Sequence, residues 1–250
     1  MALRIAVLGD IHGNIAALDA ALVEVKKAKP DLVAVTGDLV MNGPRPAEVV
    51  ARVRELEAKG AVVVQGNTDV AVADFDFAAA FPWLDEIPDG HRAAAEWAHD
   101  ALTADDLGWL RRLAAERRIR EADEGDPLVL VCHGSPGSQT GGLAVDLDIS
   151  VTTERLARTD AIVVACGHTH VADLREVGRK LICNPGSCGY AFDGDPGAAW
   201  ALLTIDDEGP RAELRRTEYD TQPVSDELSQ RGLPGDIYRA ATVRRGRFVG

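Results

Sequence analysis

The chain has 250 residues, 46% of them hydrophobic and 5% aromatic, enough to bury one sizeable core or a core with an insertion. Its 40 acidic and 27 basic residues leave a net charge of −13, which argues against a general nucleic-acid or anionic-membrane surface, because counterion-release binding needs clustered Lys and Arg. No charged leader precedes the first apolar stretch and no apolar run is long enough to span a bilayer, so a soluble cytoplasmic protein is expected, its four cysteines reduced.

Leu3–Leu8 reads as a buried strand, and Ile15–Ala28 as a helix with Ile15, Leu18, Leu22 and Val25 on one face before Pro30. Leu32–Thr36 makes a second strand, Ala47–Ala58 an amphipathic helix behind Pro46, and Ala61–Gln65 a third strand. Such alternation builds neighbouring parallel strands with helices outside, and the loops after the strands emerge on one sheet edge. Residues 70–126 break the pattern with Trp83, Trp97, Trp109, Phe75, Phe77 and Phe81 and two helical stretches, near His91–Ala101 and Ala104–Arg117, the second capped by Thr103. This segment is expected to form a helical cap, its aromatics either gluing helices to the core or offering a ring to a substrate. Leu128–Cys132, a helix near Thr152–Arg158, and Ala161–Ala165 resume the order. Asp173–Val177, Leu181–Cys183, Ala198–Ile205 and Arg211–Glu218 then read as a meander, pointing to a second, more antiparallel sheet. Residues 1–221 thus form the domain, and 222–250 read as a tail with one short helix at Ser225–Arg231, a Pro234-Gly235 break and a basic run from Arg244 to Arg247.

Five short motifs stand at the ends of these strands: Asp10-Ile11-His12, Gly37-Asp38, Gly66-Asn67, His133-Gly134 and Gly167-His168-Thr169-His170. Two carboxylates, one carboxamide and four imidazoles give seven donors, and with Asp38 bridging, two metal ions would each receive four protein contacts. A carboxylate suits the bridge because a charged oxygen pair holds two cations roughly 3.5–4 Å apart. Asn67 binds one ion without cancelling its charge, and its N–H groups can hold a phosphoryl oxygen. Imidazole favours transition metals over Mg or Ca, so manganese is expected first, with iron, nickel, cobalt or zinc as alternatives. Each motif alone is weak, but their order and the strand before each make coincidence improbable. His91 and His99 fall outside the set and read as ordinary surface or helix residues.

In these motifs the sequence resembles the calcineurin-like metallophosphoesterase superfamily, from residue 3 to about residue 205, and the Asp10–Asn14, Gly37–Pro44 and Asn184-Pro-Gly-Ser187 segments resemble its compact bacterial and archaeal phosphodiesterase branch. The resemblance implies two mixed β-sheets sandwiched between helices. It places Asp10, His12, Asp38 and His170 on one metal and Asp38, Asn67, His133 and His168 on the other, with Asp38, Asn67 and His133 central to catalysis and Asn67 and Thr68 touching substrate. The implied reaction is hydrolysis of a small phosphate ester, a nucleotide among the candidates, by solvent activated on the ions, with diesters ahead of monoesters. A dinucleoside polyphosphate hydrolase, a protein phosphatase and a protein-binding scaffold of the same fold are the alternatives, and the scaffold is disfavoured because all seven donors stand. Two positions depart from the family. Thr68 replaces the histidine that helps protonate the leaving group, with Asp69 following it, and Gly189-Tyr190-Ala191-Phe192 replaces a polar, basic stretch.

Overall fold

A computed structural model describes residues 2–120 and 127–250. Its strands form two five-stranded sheets. The first has the order β10-β9-β1-β2-β3, from β1 (Leu3–Leu8), β2 (Leu32–Val35), β3 (Val62–Val63), β9 (Ala198–Asp206) and β10 (Gly209–Thr217). The second has the order β4-β5-β6-β8-β7, from β4 (Glu116–Arg120), β5 (Pro127–Cys132), β6 (Val163–Ala165), β7 (Asp173–Val177) and β8 (Lys180–Asn184). In the first sheet β1, β2 and β3 run parallel and β9 and β10 antiparallel. In the second, β5, β6 and β8 run parallel between antiparallel β4 and β7.

The period of two along each strand divides its side chains between two cores. Ile5 and Val7 of β1 meet Val129 and Val131 of β5 between the sheets, whereas Ala6 and Leu8 face outward onto α1 (Ile15–Ala28) with Leu18 and Ala21. Leu130 and Cys132 of β5 face the other way, onto Leu156 of α7 (Ile149–Leu156). Both sheets are therefore covered on both faces, as parallel strands require. The Asn14 side chain caps α1, accepting from Ala17 N at 3.1 Å, so a single loop ends β1, carries Asp10 and His12, and starts the helix. α2 (Pro46–Ala58) follows β2 in the same manner.

Three stretches differ from the sequence expectation. The expected meander does not make one sheet: β9 and β10 pair beside β1 in the first sheet, whereas β8 lies parallel to β6 in the second with β7 at its edge. The helix expected over Ala104–Arg117 stops at Arg112 (α6, Ala104–Arg112), Leu113 turns extended, and Glu116–Arg120 pairs with β5 as an edge strand. The Ala-Ala-Glu-Arg composition favours helix, but pairing with β5 and burial of Ile119 override propensity, while the arginines blunt the exposed edge. The insertion is therefore not wholly helical. Residues 70–120 hold all but the first turn of α3 (Asn67–Asp74), then α4 (Phe77–Ala80), α5 (Asp89–Asp100), α6 and β4, and the rest of the expected span, 121–126, lies outside the described residues. Residues 221–245 are likewise two helices, α8 (Thr221–Arg231) and α9 (Asp236–Arg245), with Val224, Leu228, Ala240 and Val243 packed around Tyr190. Arg244 and Arg245 of the basic run close α9, where cations suit the carbonyl end of a helix. All four cysteines are reduced and buried. No helix among the described residues is long and apolar enough to cross a membrane.

Candidate metal centre

The carboxyl ends of β1, β2, β3, β5 and β6 meet at one edge, and the seven donor side chains converge there. Asp10, His12, Asp38 and His170 bring one donor atom each within 4.8 Å of one another, all four buried. The turns that aim them are tight. Asp10, His12, Asp38, His168 and His170 all adopt left-handed backbone, with φ of 50°, 50°, 53°, 70° and 58°. Non-glycine residues held there cost about 1–3 kcal/mol each and persist where the surroundings fix them. The fixing bonds are backbone to backbone: Asp10 N donates to Gly37 O at 2.9 Å and His12 N to Asp38 O at 2.9 Å. At Gly66 a Cβ would lie 2.1 Å from Asp38 Oδ1, so only glycine lets β3 end against the carboxylate.

Backbone carbonyls set the tautomer of three rings. His12 Nδ1 lies 2.9 Å from Met41 O, His133 Nδ1 2.8 Å from Thr36 O and His170 Nδ1 2.5 Å from Tyr190 O. A carbonyl only accepts, so each Nδ1 carries the hydrogen, Nε2 of the neutral His12 and His170 rings turns a lone pair to the centre, and Nε2 of His133 does so once that ring has lost its second proton. His12 Nε2 and His170 Nε2 then face each other at 3.1 Å, with Asp38 Oδ2 3.5 Å from the first and Asp10 Oδ1 3.6 Å from the second. Two bare imidazole nitrogens and two carboxylates, Asp10 once it gives up its proton, make a donor set that could hold a cation, and its mixed N and O chemistry fits a transition metal. A second cluster adjoins it. Asn67 Oδ1 lies 2.9 Å from His133 Nε2 and 3.0 Å from His168 Nδ1, and His133 Nε2 lies 3.4 Å from Asp38 Oδ1.

The electrostatics agree with that assignment. Burial lowers the pKa of His12, of His168 to about 4 and of His170, which keeps these rings neutral and available as ligands. His133 goes the other way, up to about 9: burial disfavours its charge, but Asp38 and Asp10 outweigh it. Burial, reinforced by Asp38, pushes Asp10 up to about 8. Asp38 lies well below the usual carboxylate range, because His133 and its neighbours overcome the cost of burial. A cation held here would have to displace the protons on His133 and Asp10.

Several supporting residues lie outside the donor set. Asn184 Nδ2 donates to Gly167 O at 2.9 Å, and Ser187 Oγ to Asp10 O at 2.6 Å, so the Asn-Pro-Gly-Ser loop ties the first and last donor loops together. The aromatic stretch after it packs on donor imidazoles, with Phe192 stacked on His170 at 4.2 Å between ring centroids. The small-residue loop after His133 reaches the site at Gly142, where a Cβ would lie 2.8 Å from His168 Cδ2. Asp69 has no histidine beside it to orient. Its two oxygens accept from Leu39 N at 2.8 Å and Gly66 N at 2.9 Å, joining the Asp38 and Asn67 loops. None of the partner carbonyls leaves a mark in the sequence. The roles of Ser187, Asn184 and Asp69 could have been sought in the polar residues flanking the donor motifs.

The donors open onto a cleft of about 600 Å³. Thr68 lines it with a buried Oγ1 that has no hydrogen-bond partner, while its N–H donates to Asp38 Oδ1 at 2.9 Å. Trp83 and His91 from the insertion form one part of the wall, and Tyr238, Arg239 and Phe248 from the C-terminal segment form another. The sequence reading assigned His91 and the C-terminal residues no place there.

Comparison with known proteins agrees with this architecture. The chain is 25% identical to a metallophosphoesterase from Sphaerobacter thermophilus, covering 98% of this chain and 100% of that one with a TM-score of 0.76. A hypothetical protein from Pyrococcus horikoshii shares the fold at 22% identity and a TM-score of 0.81, over 98% of this chain and 99% of that one. An uncharacterized protein of Methanocaldococcus jannaschii is 25% identical over 245 residues, 92% of this chain and 93% of its own length. Residues 3–208 match the model of the calcineurin-like phosphoesterase superfamily domain. That span carries every converging donor from Asp10 to His170, and the chain belongs to the calcineurin-like phosphoesterase superfamily.

Proposed function

We propose that the chain hydrolyses phosphodiesters with two divalent transition-metal ions, manganese first among them. The observation that carries this reading is Asp38. Its Oδ2 lies 3.5 Å from the bare Nε2 of His12 and its Oδ1 3.4 Å from Nε2 of His133, so one carboxylate serves both clusters. Asp10, His12, Asp38 and His170 would hold one ion, and Asp38, Asn67, His133 and His168 the other. Bound there, the ions would polarise phosphoryl oxygens and activate water near neutral pH.

The chain's own residues bind and orient the ester. The free Thr68 hydroxyl donates to a phosphoryl oxygen. Asn67 spends one amide N–H on Ala80 O at 3.0 Å, leaving the other for substrate. Among the described residues lining the cleft, Arg239 is the single Lys or Arg, and Asp236 shares its charge through a 3.0 Å contact. The proposed ions would then supply nearly all the positive charge, and the absence of further basic side chains to clamp a second phosphoryl charge favours the single charge of a diester over a monoester dianion. Trp83 is 55% exposed and meets His168 edge-on at 5.9 Å between ring centroids, which supports a flat group, such as a nucleobase, beside the phosphoryl group.

The test is a panel of phosphate diesters and monoesters offered to protein reconstituted with Mn, Ni or Zn, with metal content measured alongside. Diester hydrolysis lost on chelation, and lost together with both ions in Asp38→Asn, is the expected result. No bound metal after reconstitution, with activity unchanged in Asp38→Asn, would sink the reading.

A further inference from the structure

Resting on the phosphoesterase reading above, we propose that His91 donates the proton to the departing oxygen of the substrate, the task for which the Thr68 hydroxyl is unsuited. A hydroxyl cannot serve as a general acid near neutral pH, whereas an imidazole can.

The chain has six histidines, and four belong to the donor clusters. His99 is structural: its Nδ1 donates to Val72 O at 2.7 Å, and its ring lies 4.4 Å from that of Phe75. His91 alone lines the cleft with no hydrogen-bond partner for either ring nitrogen among the described residues. Two chains of contacts bracket it beside the metal centre. On one side its ring meets Phe81 edge-on at 5.4 Å, next in sequence to Ala80, whose carbonyl accepts from Asn67 at 3.0 Å. On the other, Arg239 donates from Nε to Asn42 Oδ1 at 3.2 Å, and Asn42 Nδ2 lies 3.4 Å from His12 Nδ1. His91 is the third residue of α5, and Arg239, which also donates to Pro234 O and Asp236, donates to the carbonyl of Gly90 just before it, with Pro234 packed against Gly90. The insertion and the C-terminal helices thus hold one imidazole without a hydrogen-bond partner on the wall of the cleft that the donor residues share.

In the step, the oxygen of water forms a bond to phosphorus, and the bond from phosphorus to the departing oxygen breaks with its electron pair going to that oxygen. The His91 imidazolium protonates it, releasing an alcohol, and recovers a proton from solvent as the attacking water loses one. The charged groups facing His91 set its acidity. Burial and the Arg239 guanidinium hold it below the ordinary histidine value, Asp236 partly offsets Arg239, and the incoming phosphoryl charge raises it again.

The test compares wild type and His91→Gln, both zinc-loaded, on diesters whose leaving groups run from nitrophenol to simple alcohols. The variant should lose about 10²–10⁴-fold with alkyl leaving groups and less than about tenfold with nitrophenol, at unchanged metal content. The fall of wild-type alkyl hydrolysis as pH rises should disappear in the variant, and Thr68→His in the His91→Gln background should restore alkyl hydrolysis. Independently of turnover, the His91 resonance in zinc-loaded wild type should titrate higher once inorganic phosphate is added. Equal loss across the series, no loss at all, or a His91 titration indifferent to phosphate overturns the assignment while the phosphoesterase reading stands. A wild type that hydrolyses no ester with any metal overturns both.

Discussion

Replacing Asp69 by Ala should cost stability and metal affinity together. Asp69 is fully buried, and its carboxylate is the acceptor for the N–H groups of Leu39 and Gly66, at 2.8 and 2.9 Å. The methyl group of alanine leaves both donors buried and unpaired, at about 1–3 kcal/mol each, hence roughly 2–6 kcal/mol in total. For a chain of this size that is a fall in Tm of roughly 5–20 °C. The two donors sit beside Asp38 and Asn67, so the loosened loops should also weaken metal binding. Asp69→Asn keeps one acceptor and should cost about half as much. Urea or thermal unfolding of metal-free protein measures the first effect, and metal titration the second. A loss below about 1 kcal/mol in Asp69→Ala, or a full loss of stability with metal affinity unchanged, would refute the claim that Asp69 couples these loops.

Metal uptake should strengthen as pH rises from about 6 to 9. Asp10 and His133 hold protons in the folded metal-free protein up to about 8 and about 9, so a cation competes with protons below those values. By linkage, a raised folded-state pKa confers stability that is present at low pH and lost as pH climbs through the folded value. Metal-free protein should therefore weaken over this range while the metal-induced gain in Tm grows, and differential scanning fluorimetry with and without zinc reads both trends. Trp83→Leu should change the ranking of substrates at nearly constant Tm, because its ring is largely exposed in the cleft. Trp97→Leu should instead lower Tm by a few degrees with ranking unchanged, because its ring packs on the core and carries the Arg231 guanidinium at 4.3 Å. Unfolding curves and a substrate panel on both variants separate the two outcomes.

The parallel strands that carry the donors were legible because each is a short apolar run leading into a ligand or glycine, and the donor set because its residue types have few other uses at strand ends; β8, which leads into neither, read as part of a meander. What escaped the sequence was set by partners distant along the chain. Glu116–Arg120 carries helix-forming residues and becomes a strand only because β5 offers an open edge. α9 has charged and small residues around a modest apolar stripe, and its burial depends on Tyr190 and α8. His91 looked ordinary because its meaning comes from Phe81 on one side and a C-terminal arginine on the other. The carbonyls of Met41, Thr36 and Tyr190 that fix the imidazole tautomers are backbone atoms, and no residue type announces them.

The left-handed backbone at five donors also governs which mutations a lineage could tolerate. Outside glycine, Asp, Asn and His are among the residues most at ease there, and β-branched residues are the least. Replacing Asp10 or His168 by Asn would keep the turn and retain an oxygen donor, whereas Val would fail on both counts. Glycine would relax the strain and stabilise the metal-free fold while deleting a ligand. Stability of the metal-free fold and retention of the ligands therefore pull these five positions in opposite directions.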